Sequence, residues 1–100
     1  MKGIIMRLKK LTKSNFREYL QQNRKRKFST NTRCDCPIAC FLRDNNIMKN
    51  PFVGTWTVRD TTPDNLKTYE LPVWVAHFIG RFDRLKPLYN TGETALKCLK

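Results

Sequence analysis

The sequence predicts an α+β fold: a small single domain in which a β-hairpin packs on a long amphipathic helix, with two or three shorter helices around them. Three observations predict it. One hundred residues with 40% hydrophobic content and 11% aromatics are enough for one core and too few for two. Phe52, Gly54, Trp56 and Val58 alternate with Val53, Thr55, Thr57 and Arg59 in a β-rich composition. After Pro72, the residues Trp74, Val75, Phe78, Ile79, Phe82 and Leu85 recur on one face of a helix at 100° per residue.

Taken in order, the first element is a helix over about 15–23, with Asn15 as its cap, Glu18 near its start and Phe16, Tyr19 and Leu20 at helical spacing. Arg24-Lys25-Arg26-Lys27 follows it, and Ser29-Thr30-Asn31-Thr32 reads as loop. Pro37 suits the first position of a second helix, about 37–45, capped by Asp35 or Cys36 and stopping near Asn45-Asn46. The hairpin occupies about 52–71, its second strand lying within Leu66 to Leu71 and its loop running from Asp60 to Asn65. The long helix spans about 72–85 and is ended by Pro87 and a Tyr89-Asn90-Thr91-Gly92 turn. A short last helix follows at about 92–99. Trp56 and Trp74 both sit in apolar periodic patterns and are expected in the core.

Charge divides the chain. Eleven of the twenty Lys and Arg residues fall within residues 1–33 against a single acid, Glu18, so that segment holds a surplus of ten of the net +12. Residues 34–100 are nearly balanced and are expected to form the compact core behind a strongly basic N-terminal segment. A cationic end this dense repels itself, and a polyanion relieves that repulsion. Lys9, Lys10, Lys13, Arg17, Arg24, Lys25, Arg26, Lys27 and Arg33 offer point charges and planar forks to phosphate oxygens, with Tyr19 and Phe28 as stacking surfaces for unpaired bases. Arg81 and Arg84, on the helix face opposite the apolar stripe and beside His77, extend the patch if the fold brings them alongside.

The expectation for function is a non-enzymatic nucleic-acid-binding protein, for RNA or DNA, contacting the phosphate backbone and acting alone or within a ribonucleoprotein assembly. The same cations also suit a small interaction module or regulator that docks its basic face on an acidic partner protein. Gly3-Ile4-Ile5-Met6 is far short of a signal-peptide core, and no stretch approaches the ~20 apolar residues of a membrane span, so a cytoplasmic protein with no membrane partner is expected.

Cys34, Cys36 and Cys40, with Cys98 or His77 as a fourth ligand, are the candidates for zinc. Their spacing argues against it, because one residue separates the first two and no second pair exists. Cys36 and Cys40 would instead be buried fillers if the second helix is covered on both faces. No cofactor motif is present. One His, two serines and no glycine-rich phosphate loop leave the usual nucleophile and base arrangements unassembled. Pro63-Asp64 and Glu70 resemble the acidic part of a nuclease metal site, but Pro72 stands where such a site needs lysine.

Overall fold

The computed structural model describes residues 6–7, 10–30, 34–61, 68–85 and 88–99. Along the chain these form β1 (Met6–Arg7), α1 (Lys13–Gln22), β2 (Lys27–Ser29), α2 (Pro37–Asp44), β3 (Pro51–Val53), β4 (Thr57–Asp60), β5 (Thr68–Glu70), α3 (Val73–Phe82), β6 (Tyr89–Thr91) and α4 (Gly92–Cys98). The strands make two sheets: one ordered β1-β5-β4-β3, antiparallel except for the parallel β1–β5 edge, and a two-stranded antiparallel β2–β6 ribbon. The α+β class stands, with four helices among the described residues.

The helix ends show why each element stops where it does. α1 starts two residues earlier than expected because Thr12, not Asn15, is its cap: the Thr12 hydroxyl accepts the Asn15 N–H at 3.0 Å, while the Asn15 amide donates to the Lys10 carbonyl. α2 has Pro37 at its first position and Cys36 before it, as the sequence suggests. It ends in a Schellman motif. Asn46 takes a left-handed conformation (φ 55°), its N–H bonds the Arg43 carbonyl, and the Ile47 N–H reaches back to Leu42 at 2.9 Å. α4 is capped by Thr91, whose hydroxyl accepts the Thr94 N–H.

Several expectations are corrected. The long helix of 72–85 is only ten residues, the same length as α1, so a dominant central helix is absent among the described residues. Its apolar stripe is nevertheless placed as the periodicity requires: Val75, Phe78 and Phe82 are buried, and Trp74, Ile79 and Leu85 lean on the core. The alternating run at 52–59 is two strands, because Gly54 N–H bonds the Thr57 carbonyl and turns the chain back on itself. Trp56 rides on that turn and is 60% exposed, not in the core. Asp60, expected in a loop, is a buried end residue of β4, while residues 62–67 lie outside the described set. β1, β2 and β6 have no counterpart among the expected elements: Ser29 belongs to a strand, and Tyr89-Asn90-Thr91 forms the strand that pairs with it instead of a turn.

Both faces of α2 are covered, so that Pro37 through Leu42 are all buried together with Cys36. The Cys40 thiol, though buried, is no purely apolar filler, since its Sγ donates to the Asp35 carbonyl at 3.5 Å and accepts from Arg43 Nη2 at 3.6 Å. The core also draws on the basic segment, which contributes Leu11, Phe16, Tyr19, Leu20 and Phe28 to it. Residues 34–100 are therefore not a core by themselves. Among the described residues, no helix is long and apolar enough to cross a membrane.

Candidate nucleic-acid interface

α1 and the segment after it set out the cations. Phe16, Tyr19 and Leu20 face the core, which leaves Arg17 exposed one turn beyond Lys13 on the same flank of the helix. Lys10 stands elsewhere. It lines an open cavity with Asn15, Glu18 and Gln22, the flank of α1 that carries the helix's only acid.

Arg24 and Lys25 occupy the turn after α1, and Lys27 begins β2; all three side chains are exposed. Their backbone is held in place. The Arg24 carbonyl accepts the Glu93 N–H at 3.0 Å and the Arg26 carbonyl accepts the Gly92 N–H at 2.9 Å, so the first turn of α4 finds its backbone acceptors in the basic turn. Lys27 is paired with Thr91 in the ribbon.

Arg26 departs from the expected role. Its Nη1 donates to Asp44 Oδ2 at 2.6 Å and to the Tyr19 hydroxyl at 3.1 Å, and Tyr19 donates to the same Asp44 oxygen at 2.6 Å. The guanidinium also lies 5.2 Å from the Phe28 ring centroid. Arg26 is thus a tie between α1, β2 and α2, neutralised by the protein's own carboxylate. Tyr19 and Phe28 are corrected with it: both rings are buried and neither can stack on a base.

This network predicts a pH dependence. Partial burial pushes the Asp44 carboxyl up, but the hydrogen bonds from Tyr19 and Arg26 outweigh it and hold its pKa below the ordinary value. Burial, then the bond to Asp44, pushes the Tyr19 phenol well above its usual range. A depressed carboxyl stabilises the fold at pH values above its unfolded pKa of about 3.9, and that contribution is lost as pH falls further. A raised phenol contributes below about pH 10 and loses its contribution as pH rises beyond. Tyr19→Phe is expected to cost about 0.5–1.5 kcal/mol between these limits, and the gap between wild type and variant in urea denaturation should shrink below about pH 4. A gap that persists unchanged in acid would show that the Asp44 bond is not its source.

Of the remaining expected contacts, Lys9 and Arg33 lie outside the described residues. Arg81 donates from Nε to the Cys98 carbonyl at 2.5 Å, at the far end of α4 from the basic turn, roughly 10 Å along that helix. Arg84 and His77 are exposed on and just after α3. Arg81 therefore stands at the opposite end of α4 from Arg24 and Lys25 and does not close up with them.

The cysteines do not assemble into a metal site: among the described residues, no three His, Cys, Asp or Glu side chains come close enough to share an ion. Asp64 is outside those residues. All four cysteines are thiols, with Cys34 exposed and Cys36, Cys40 and Cys98 buried. Burial pushes the Cys36 thiol up to about 12 and raises Cys40 as well. Ellman's reagent should accordingly modify one thiol quickly at pH 8, the one removed by Cys34→Ser, and the other three only in denaturant. Fast modification of a second thiol would contradict the packing around α2.

The chain matches no protein-family model, no curated protein and no solved structure to which it was compared.

Proposed function

We propose that this protein is a non-enzymatic nucleic-acid-binding protein that grips the phosphate backbone with Arg17, Arg24, Lys25 and Lys27, with Lys13 alongside, alone or within a ribonucleoprotein assembly. One observation carries the reading. The exposed cations of residues 24–27 stand on a backbone fixed by α4 and the ribbon, and among the described residues one ion pair, Arg26 to Asp44, engages that run and removes one of its four charges. A fixed backbone spares the ligand the entropy of ordering the chain, so these side chains meet phosphate at a lower cost than a loose tail would. Burial of Tyr19 and Phe28 takes away the stacking expected of them and throws the weight of binding onto phosphate contacts.

Fluorescence anisotropy with a labelled duplex, across a salt series, tests it. With about five phosphates neutralised, log affinity should fall against log salt with a slope near −4 to −5. Replacing Arg24, Lys25 and Lys27 together by alanine should reduce the magnitude of that slope by roughly 2.7. Undetectable binding at low salt, or a stoichiometric acidic protein that stays bound in a native-lysate pulldown after nuclease treatment, would reject the reading in favour of a protein-docking module.

A further inference from the structure

The β2–β6 ribbon carries an aromatic side chain beside Lys27, the last cation of the run 24–27. Ser29 pairs directly with Tyr89 and Lys27 with Thr91. Directly opposed residues of an antiparallel pair share a face, and alternate residues of a strand return to it, so Lys27, Ser29, Tyr89 and Thr91 stand together on one side. Phe28, on the other side, is buried, which turns the first face outward. Tyr89 on that face is 62% exposed. Its backbone is held, because the carbonyl of the preceding Leu88 accepts both the N–H and the hydroxyl of Thr30, at 2.8 and 3.0 Å.

The geometry points to Tyr89 and Lys27 as a one-nucleotide subsite for single-stranded nucleic acid, the base stacking on the Tyr89 ring and its phosphate meeting the Lys27 ammonium. Diagonal neighbours across an antiparallel pair have their backbones about 7–8 Å apart, close enough for one nucleotide to bridge ring and cation. A rigid aromatic beside a cationic track is the chemistry that selects strands with unpaired bases, since every base has a stacking face and a duplex hides its own. The inference rests on the phosphate-binding reading and adds to it a preference: single strands over duplexes, without sequence choice.

Three labelled ligands of equal length separate the two claims: oligothymidylate, an abasic deoxyribose-phosphate strand, and a duplex. Wild type should bind oligothymidylate about 5- to 150-fold tighter than the abasic strand, the range expected of one stacked base. Tyr89→Ala should erase that margin while leaving abasic-strand and duplex affinities unchanged, and Tyr89→Phe should keep it. Lys27→Ala should weaken all three. Because Tyr89 is largely exposed, its replacement should not disturb the fold, and upfield movement of the Tyr89 ring-proton resonances on adding oligothymidylate gives a second readout in the wild type. If oligothymidylate and the abasic strand bind equally, or if Tyr89→Ala changes neither, the subsite is wrong and the phosphate reading survives. Should none of the three ligands bind at low salt, both fall together.

Discussion

Phe16→Ala should remove about 3–5 kcal/mol of stability, a large share of the roughly 5–15 kcal/mol that holds a domain of this kind together. Phe16 is 0% exposed and sits where three helices meet. Its ring lies 5.0 Å from Phe78 and 5.7 Å from Phe41, both edge-on, and 5.7 Å from Trp74, with Tyr19 at 6.4 Å on its own helix. Alanine there leaves a cavity that α2 and α3 cannot both move to fill, since each is anchored by further buried side chains. The thermal midpoint should drop on the order of 20 °C. A loss below about 1 kcal/mol in urea denaturation, with the slope unchanged, would mean that the helices do not converge on this ring.

The same residue shows how far the sequence could be read. Helical spacing of Phe16, Tyr19 and Leu20 announced a buried stripe within the most basic part of the chain, and the structure makes that stripe part of the core. α2 was legible to its ends because Pro37 and the Asn45-Asn46 pair are strong local signals. The ribbon was not, since strands of three residues carry no measurable alternation and Lys27-Phe28-Ser29 gains its partner only from a segment far along the chain. Trp56 misled for a related reason: alternation over 52–59 continues through the turn closed by Gly54 and Thr57, so a residue in phase with the core face ends up at the tip. In the site, the positions of the cations were plain from the sequence, and their allegiances were not. Arg26 and Lys27 are neighbours of the same chemistry, yet one closes on Asp44 and the other faces solvent, a difference decided by where α2 ends.

Gly92→Ala should destabilise the protein and weaken its grip on nucleic acid together, without altering a single charge. A Cβ at this position would stand 2.2 Å from the Asn23 carbonyl oxygen and 2.9 Å from its carbon, with the Leu20 oxygen at 3.2 Å. These are backbone atoms at the end of α1, so no side-chain rotation relieves the contact, and α4 must withdraw by about an ångström to restore ordinary contact distances. That withdrawal stretches the hydrogen bonds from Gly92 to Arg26 and from Glu93 to Arg24, which fix the basic turn. Overpacking and the two weakened bonds together should cost roughly 2–4 kcal/mol, more than the ~1 kcal/mol that alanine gains over glycine inside a helix. With Arg24 and Lys25 no longer held, duplex affinity should fall several-fold while the salt slope stays near the wild-type value, because the number of phosphates met is the same and only the ordering cost has grown. Stabilisation by Gly92→Ala would refute the close approach of α1 and α4. Loss of stability with full affinity would show that the cations bind without needing the fixed turn beneath them.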